Sequence, residues 1–419
     1  MEVTELYKAF IASTGVSTDT RSLLEGNLFF ALQGENFDGN QYASKALETG
    51  ASAVVVSRDM GLAHQFVVKD TLSALQQLGT HHRTTLETPL IALTGSNGKT
   101  TTKELLHACL SAQYHVLATI GNLNNHIGVP LTLLRLTPEH DYGIIEMGAN
   151  HAGEIDALCK IALPDYGYIT NFGKAHLEGF GSLEGVEHSK SELYRHLATT
   201  DGLAFVNGQD EKQLVRTADQ RRAILNTETR LEPKIHGLRL QLDEVTVTSL
   251  LEGSYNAINI AAAMRIAQQF GVTLEQSAEA VATYNPSNNR SQRIHAGDLA
   301  IILDAYNANP SSMQVALENL NSLPGKKHVI LGDMKELGNT TELEHQRTIE
   351  RLLGMDLETR IVVGPAFAEA ALGHDAIQTY ENIDALIKSM QLQDLETGTL
   401  LIKGSRSMAL ERFVPSNLR

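Results

Sequence analysis

The chain has 419 residues, 42% of them hydrophobic and 20% charged, and its 34 Lys and Arg against 49 Asp and Glu residues give a formal net charge of −15. This composition predicts a folded protein of about three domains, and the acidic balance argues against a nucleic-acid-binding surface. Cys109 and Cys159 lie in apolar helical patterns, so we expect reduced core thiols. The sequence contains neither an apolar stretch of about 18 residues nor a visible signal peptide, and we therefore expect a cytoplasmic protein without membrane insertion.

The first segment, residues 1–85, predicts a small α/β unit with strands at 28–32 and 53–56. Two polar loops, at 19–21 and 34–39, lie close to these strands. Their residues favour turns, but a loop rich in Asp and Gly near a strand end is also a usual place for a nucleotide sugar. Both interpretations stay open at this point. Residues 84–89 are predicted to be a linker.

The central segment, 86–285, opens with a glycine loop between an apolar run at 89–93 and a helical pattern that begins near Thr101. Glycines let backbone N–H groups approach an anion, and the helix N-terminus adds partial positive charge. Lys99 can reach the β- and γ-phosphates, and Thr100 can bind Mg²⁺. The general motif has glycine where this chain has Leu93. The pattern predicts a nucleoside triphosphate site, and its alternative is an ordinary turn with a solvated lysine.

Polar residues follow the next predicted strands of the central segment. Glu146 ends a buried strand beside the glycine loop, where it can bind Mg²⁺ or cap the following helix. His176 follows another strand and either binds a metal or caps a loop. Lys190 lies in a helix predicted over 186–197, where a solvated lysine is the simple interpretation. Asn256 precedes an alanine-rich helix over 260–270 and can serve as its N-cap.

The last segment alternates strands with helices, and residues 285–289 mark its boundary with the central segment. Its predicted strands are 299–303, 328–331, 361–363, 376–379 and 399–402. This alternation predicts an open, mostly parallel, doubly wound sheet. The polar loops that follow the strands, beginning at Asp304, Gly332 and Lys403, are expected to face a shared cleft.

Six motifs, in this order along nearly the whole chain, resemble those of the Mur ligases. They are residues 94–102, 121–132, 146–151, 176–182, 304–310 and 403–406. The phosphate loop of this family also has a residue other than glycine at the position of Leu93. The resemblance is greatest to those members that join D-Ala-D-Ala to UDP-N-acetylmuramoyl-tripeptide in peptidoglycan synthesis. It implies an ATP- and Mg²⁺-dependent ligase that makes an amide bond through an acyl phosphate and acts as a monomer.

The resemblance implies an α/β fold of three domains. These are a small N-terminal α/β uridine-binding module (1–85), a central P-loop-type ATPase domain with a mostly parallel sheet (86–285), and a C-terminal Rossmann-like, doubly wound domain (286–419). It assigns ATP to Gly95, Ser96, Asn97, Gly98, Lys99, Thr100, Thr101, Asn256, Arg290 and Asp304. It assigns the substrates to Asp19, Thr20, Arg21, Gly34, Asp38, Gly39, Asn122, Asn124, Asn125, Tyr306, Asn307, Asn309, Lys403 and Arg406.

The catalytic residues implied by the resemblance are Lys99, Glu146, His176 and Lys190. One Mg²⁺ would be held by Thr100 and Glu146 and a second by His176 and Lys190, whose counterpart in several relatives is a carbamate. Two positions depart from the family pattern. Asn40 stands where the family usually has His, and Tyr255 replaces the His of a His-Asn pair, so only Asn256 is transferred. Arg293 is a second candidate for the family arginine assigned to Arg290.

Three other activities are weighed against this one. The ligase that adds the third stem residue is disfavoured because the Asp-Asn-Pro-Arg motif associated with it is missing. A folylpolyglutamate synthase would lack a uridine module, which the 19–21 and 34–39 loops indicate here. A nucleotide-dependent switch would need only the phosphate loop and would release ADP without any amine or UDP-sugar.

Overall fold

A computed structural model describes residues 3–232, 237–286, 290–395 and 397–418. Within them the chain forms three α/β units, each with its own parallel sheet. Of the predicted boundary at 285–289, Ser287, Asn288 and Asn289 lie outside the described residues. No helix in the described part of the chain is long and apolar enough to cross a membrane.

The N-terminal unit is a small sheet with helices on both faces. Its strands are β1 (Val16–Ser17), β2 (Leu28–Phe30), β3 (Gln33–Gly34), β4 (Phe37–Asp38), β5 (Ala53–Val56) and β6 (Gln65–Val67). Its helices are α1 (Val3–Ile11), α2 (Ala43–Glu48) and α3 (Thr71–Leu86). The parallel sheet has the order β1-β2-β5-β6, and β3 and β4 form a separate hairpin. Strand β2 is buried on both faces, because Leu28 and Phe30 pack in one apolar core and Phe29 in another.

Helix α3 connects the N-terminal and central units. The predicted linker at 84–89 is wrong over its first residues, because α3 continues to Leu86 and ends at Glu87 in a left-handed conformation. Thr80 Oγ1 donates to the Ile161 carbonyl at 2.9 Å, and Arg83 pairs with Asp165 at 2.7 Å. This segment is therefore a helix packed on both units.

The central unit carries a parallel sheet and a small antiparallel one. Its strands are β7 (Leu90–Thr94), β8 (Val116–Ala118), β9 (Tyr142–Glu146), β10 (Tyr166–Ile169), β11 (Leu203–Asn207), β12 (Arg222–Leu225), β13 (Arg230–Glu232), β14 (Leu238–Leu242) and β15 (Val245–Ser249). Its helices are α4 (Lys99–Leu110), α5 (Gly128–Leu133), α6 (Glu154–Ala162), α7 (Leu177–Phe180), α8 (Leu183–Lys190), α9 (Glu192–Thr199), α10 (Glu211–Arg216), α11 (Asn256–Gln269) and α12 (Leu274–Thr283).

Strand β7 lies inside the central parallel sheet, whose order is β12-β11-β10-β7-β9-β8. Ile91 and Leu93 pack on the face covered by α4 and α11, and Leu90 and Ala92 pack on the face covered by α5, α6 and α9. Both faces are buried, so the apolar run before the glycine loop is a core strand. Cys109 and Cys159 are buried free thiols, as predicted.

Three helix predictions in the central unit need correction. The helix predicted over 186–197 is two helices, α8 and α9, separated at Ser191. The Ser191 hydroxyl donates to the Glu187 carbonyl at 2.6 Å, a local bond that competes with regular helix geometry. Helix α4 begins at Lys99 and α11 at Asn256, each earlier than predicted.

The C-terminal unit confirms the doubly wound prediction. Its strands are β16 (Gln292–Ala296), β17 (Leu299–Asp304), β18 (Lys327–Gly332), β19 (Thr359–Val363), β20 (Gln378–Tyr380) and β21 (Gly398–Lys403). Its helices are α13 (Pro310–Ser322), α14 (Thr341–Leu353), α15 (Pro365–Ala370) and α16 (Ile383–Ser389). The order is β16-β17-β21-β18-β19-β20, and only the pairing of β16 with β17 is antiparallel within this sheet. Strand β16 was not predicted; it is a polar edge strand in which only Ile294 is buried.

Candidate active site

A cavity of about 910 Å³ lies between the central and C-terminal units, at the carboxyl ends of β7, β9, β17, β18 and β21. Predicted residues of the central unit line one side: Ser96, Asn97, Gly98, Lys99, Thr101, Asn122, Asn124, Asn125, Glu146, His176 and Asn256. Predicted residues of the C-terminal unit line the other: Arg290, Asp304, Tyr306, Asn307, Asn309, Lys403 and Arg406. The expectation that the strand-end loops face a shared cleft is confirmed.

The glycine loop between β7 and α4 has the backbone that a phosphate site needs. Gly95 and Gly98 have φ values of +138° and +81°, which L side chains rarely adopt. A Cβ at Gly95 would overlap the Thr170 hydroxyl, and one at Gly98 would lie 2.6 Å from Asn259 Oδ1. Lys99 Nζ donates to the Gly95 carbonyl at 2.6 Å, so the ammonium lies over the loop. Lys99 Nζ also donates to the Ser96 carbonyl at 3.3 Å, which argues against a freely solvated lysine. Burial lowers the pKa of Lys99 to about 8, against the opposing effect of Glu146.

A second loop, after β10, holds the glycine loop in place. The Thr170 hydroxyl donates to the Asn97 carbonyl at 2.6 Å, and the Asn97 N–H donates to Asn171 Oδ1 at 3.1 Å. Ser96 Oγ donates to the Gly173 carbonyl and accepts from the Gly173 N–H, both at 2.9 Å. Asn171 and Gly173 also line the cavity. Neither residue was predicted to belong to the site, although both follow a strand end as the predicted residues do.

Thr100 and Glu146 provide oxygen atoms suited to Mg²⁺. Their exposed fractions are 2% and 1%. Among the described residues, Thr100 Oγ1 and Glu146 Oε2 have no hydrogen-bond partner, while Glu146 Oε1 accepts from Asn124 Nδ2 at 2.7 Å. A buried hydroxyl and a buried carboxylate oxygen without partners fit a hard cation that prefers oxygen ligands. The alternative that Glu146 caps the following helix is wrong, because Glu192 accepts from the N–H groups of Gly153 and Asp156 at the start of α6.

His176 and Lys190 have other partners in this structure. His176 has φ +52° at the N-cap of α7, and its Nδ1 pairs with the Glu336 carboxylate of the C-terminal unit. This contact with His176 lowers the pKa of Glu336. No cluster of three or more His, Cys, Asp and Glu side chains that could hold a metal occurs in the described part of the chain. Glu146 and His176 are therefore not part of such a cluster.

Lys190 is fully buried, so its interpretation as a solvated lysine is wrong. Its Nζ donates to the Ala149 carbonyl at 3.0 Å and lies 5.0 Å from the centroid of the Phe180 ring. Ala149 lines the cavity, which places Lys190 behind the cavity wall. Burial, aided by the charge of Lys99, holds the pKa of Lys190 well below its ordinary value.

The C-terminal unit presents cations and amides to the glycine loop. The Arg290 guanidinium lies 3.8 Å from the centroid of the Tyr306 ring. Arg293, the second candidate, pairs instead with Glu252 and is not part of the lining. Lys403 Nζ bonds Asp304 Oδ2 at 2.6 Å.

Asn309 is the N-cap of α13 and contacts the glycine loop directly. Its Nδ2 donates to Asn97 Oδ1 at 2.8 Å, while its Oδ1 accepts from the Ser312 N–H at 2.9 Å. The start of a helix in the C-terminal unit is therefore hydrogen-bonded to the phosphate loop of the central unit.

The predicted substrate residues of the N-terminal unit are not brought to this cavity: Asp19, Thr20, Arg21, Gly34, Asp38 and Gly39. Asp19 pairs with Arg21 at 2.6 Å and Asp38 with Arg58 at 2.7 Å, and these bonds lower the pKa of each carboxyl to about 2. The buried Asn40 donates to Asp38 Oδ1 at 2.6 Å and accepts from the Ser57 N–H at 2.9 Å. Asn40 therefore fixes the shape of this loop.

The cavity includes further residues that the sequence analysis did not select, among them Glu154, Asn259, Ser311, Lys335 and Glu336. Lys335 and Glu336 belong to the predicted loop after β18 but had no assigned role. Asn259 donates to Asn256 Oδ1 at 2.9 Å one helical turn away. The spacing of Asn256 and Asn259, two amide side chains on the first turn of α11, could have indicated that Asn259 belongs to the site.

Comparisons with known proteins agree with this architecture. Family models described as "Mur ligase family, catalytic domain", "Mur ligase middle domain" and "Mur ligase, glutamate ligase domain" match residues 13–79, 93–267 and 289–406. The UDP-N-acetylmuramoyl-tripeptide–D-alanyl-D-alanine ligase of Escherichia coli (strain K12) is 36% identical over 98% of this chain and 95% of the relative. The enzyme of the same name from Bacillus subtilis (strain 168) is 35% identical over 96% of this chain and 92% of the relative.

Solved structures show the same similarity. A crystal structure of MurF from Acinetobacter baumannii has a TM-score of 0.86 and 33% identity, covering 98% of this chain and 97% of that one. MurF ligase from Thermotoga maritima in complex with ADP has a TM-score of 0.84 and 27% identity, covering 97% of both chains. The chain therefore belongs to the Mur ligase family.

Proposed function

We propose that this chain is the ATP-dependent ligase that joins D-Ala-D-Ala to the stem-peptide carboxylate of UDP-N-acetylmuramoyl-tripeptide. The observation that carries this proposal is the cavity in which a phosphate loop faces the strand-end loops of a second unit. Relatives named for this reaction align over nearly the full chain. The reaction belongs to peptidoglycan precursor synthesis in the cytoplasm. We propose a monomer as the working form of this chain.

The chemistry follows from the weakness of a carboxylate as an electrophile. A carboxylate oxygen attacks the γ-phosphorus of ATP, and ADP leaves with the electrons of the broken P–O bond. The amine of D-Ala-D-Ala then attacks the acyl carbon and loses a proton, and inorganic phosphate leaves. Both steps bring anions together, so the Lys99 ammonium over the glycine loop stabilises the charge that develops.

Thr100 and Glu146 would hold Mg²⁺ beside the phosphates, because each has an oxygen that lacks a hydrogen-bond partner in the described part of the chain and suits this ion. The ion would supply charge neutralisation at the phosphoryl group. We assign a second ion to His176 and Lys190. His176 would then exchange its Glu336 partner for the ion, and Lys190 would serve as a carbamate.

Carbamate formation at Lys190 is favoured by its depressed pKa, since the neutral amine is the form that attacks CO₂. The amine nitrogen bonds the carbon of CO₂ and releases one proton. Carbon-13 NMR of protein equilibrated with labelled bicarbonate tests the assignment. A carbamate signal that is lost in Lys190→Met is the expected result, and its absence from the parent protein would reject the modification.

The uridine end of the substrate is assigned to the N-terminal unit, at Asp19, Thr20, Arg21, Gly34, Asp38 and Gly39. Asn122, Asn124 and Asn125 would contact the sugar and peptide parts at the cavity. We place the domain boundaries near residues 85 and 285. The first boundary falls between the family-model matches to residues 13–79 and 93–267. The second falls between the matches to residues 93–267 and 289–406.

Phosphate release with purified UDP-N-acetylmuramoyl-tripeptide tests the function. D-Ala-D-Ala should support turnover, and free amino acids should not. Turnover of a UDP-dipeptide with a free amino acid would instead indicate the ligase for the third stem residue. ADP release independent of any amine or UDP-sugar would indicate a nucleotide switch. Oxygen-18 in the tripeptide carboxyl group should appear in the released phosphate, and its absence would reject the acyl phosphate.

A further inference from the structure

We propose that Lys103 is a positioning residue that holds Glu146 in its metal-binding orientation beside the phosphate loop. The inference rests on the function proposed above, which gives Glu146 its metal. Lys103 lies on α4, one helical turn after Lys99, and its side chain is 0% exposed. Nothing in the reaction described above uses this buried ammonium.

Hydrogen bonds connect Lys103 to the backbone of Glu146. Lys103 Nζ donates to the Thr119 carbonyl at 2.6 Å, just beyond the end of β8. The Thr119 hydroxyl accepts from the N–H of Glu146 at 3.0 Å, at the end of β9. Helix α4, which carries Lys99 and Thr100, is thereby joined through one residue to the strand that carries the carboxylate.

The charge of Lys103 acts on the same carboxylate without occupying it. Lys103 Nζ lies 3.9 Å from Glu146 Oε2, too far for a hydrogen bond but close enough for electrostatic attraction in a buried site. The carboxylate nearest to Lys103 Nζ is that of Glu104, whose Oε1 lies 2.9 Å away. Burying an ionised carboxylate without a nearby cation is costly. Lys103 therefore offsets that cost while the Oε2 lone pairs of Glu146 stay available to a metal.

Two substitutions distinguish a positioning role of Lys103 from that of a side chain that only fills space in the core. A space-filling role would survive replacement by methionine, which has a similar length and no charge. A positioning role requires the charge and the hydrogen bond to Thr119, and arginine can supply both. Lys160→Met is the matched control, because Lys160 is an exposed helical lysine paired with Asp156 at 2.7 Å.

The test uses Mn²⁺ binding in the presence of ADP, followed by electron paramagnetic resonance, so it needs no ligase activity. Lys103→Met is expected to weaken Mn²⁺ binding at least tenfold and to leave ADP binding in EDTA within twofold. Lys103→Arg is expected to recover much of the loss, and Lys160→Met to match the parent. Phosphate-release assays should show a raised half-saturating Mg²⁺ concentration with the KM for D-Ala-D-Ala unchanged.

Unaltered Mn²⁺ binding in folded Lys103→Met would overturn the proposal, as would a parent protein that binds no Mn²⁺ with ADP. Should Lys103→Met fail to fold, Thr119→Val removes the hydroxyl that accepts from the Glu146 N–H and is expected to weaken Mn²⁺ binding in the same direction. Normal binding in Thr119→Val would then overturn it. If the parent protein binds Mn²⁺ but has no ligase activity, the proposed function is rejected. The Mn²⁺-binding comparison of the variants still decides the role of Lys103.

Discussion

At the scale of single residues, Lys99 and Lys190 differ from the exposed lysines because their ammonium groups contact backbone carbonyls. Lys99 bonds the carbonyls of Gly95 and Ser96, and Lys190 bonds that of Ala149. Burial is the main cause that lowers the pKa of both. The exposed Lys160 shows the opposite, since its hydrogen bond to Asp156 raises its pKa.

Replacing Lys99 by alanine is expected to lower turnover at least about 10³-fold, because it removes the cation that we assign to the transferring phosphoryl group. Phosphate release at saturating substrates measures the effect. Lys160→Ala is the control, and circular dichroism should show that both variants are folded. Near-normal turnover of Lys99→Ala would contradict the role given to this residue.

Binding of ATP at pH 9 is expected to be accompanied by uptake of roughly one proton, because Lys99, with a pKa of about 8, is mostly neutral in the free protein at this pH. The triphosphate favours the charged amine and raises its pKa, so the proton enters from the buffer. Calorimetric titrations in two buffers of different ionisation enthalpy measure the number of protons. Lys99→Arg stays charged and should show little uptake; equal uptake by both proteins would assign the proton to another group.

At the scale of elements, the glycine loop depends on the loop after β10. Gly95 places its backbone against Thr170, and Asn97 exchanges hydrogen bonds with Thr170 and Asn171. The two loops therefore hold each other in place, and the close approach of Thr170 together with the φ of +138° accounts for glycine at position 95.

Gly95→Ala is expected to destabilise the protein by about 1–3 kcal/mol, because its Cβ overlaps the Thr170 hydroxyl and its φ is unfavourable for alanine. Thermal unfolding should show a lower Tm, and ADP binding should weaken at the same time. Gly354→Ala is a matched control, since its φ is not in the left-handed region and the nearest atom is 3.6 Å away. Equal effects of the two substitutions would show that Gly95 is not constrained by its neighbours.

The elements around the cavity could largely be predicted from the sequence, because polar residues followed apolar strands and parallel strands end at one edge of a sheet. Edge strand β16 was missed because its side chains are mostly polar, and at the break in the predicted helix the Ser191 hydroxyl bonds the Glu187 carbonyl. The partners of buried charges could not be predicted. His176 meets Glu336 only because two units fold against each other, and a helical pattern does not reveal that Lys103 is buried.

At the scale of the whole molecule, polar contacts join the central and C-terminal units around the cavity. Lys174 Nζ pairs with Glu344 at 3.0 Å, and the Lys174 N–H donates to Ser311 Oγ at 3.0 Å. The pair of His176 with Glu336 and the bond of Asn309 to Asn97 lie nearby. Interfaces of this polar kind open readily, so we expect domain motion during turnover.

Small-angle scattering is expected to give a smaller radius of gyration when ATP and UDP-sugar are present. Glu344→Gln removes the charge that pairs with Lys174 and should give a larger radius without ligands. Glu342→Gln, on the same helix, serves as control because Glu342 is exposed and bonds only Gln346 among the contacts described. Identical profiles with and without both ligands would contradict domain closure.

Helix α3 makes the N-terminal unit inseparable from its neighbour. Leu75 and Leu78 belong to the same apolar core as Phe30 and Leu134, and a Cβ at Gly79 would lie 3.0 Å from Pro130. A protein truncated just before this helix would expose the apolar side chains of α3, Leu75 and Leu78, to solvent. We expect such a protein to aggregate. A chimaera that exchanges N-terminal units should therefore be spliced at the turn around Glu87, so that the incoming unit keeps the helix that completes its own core.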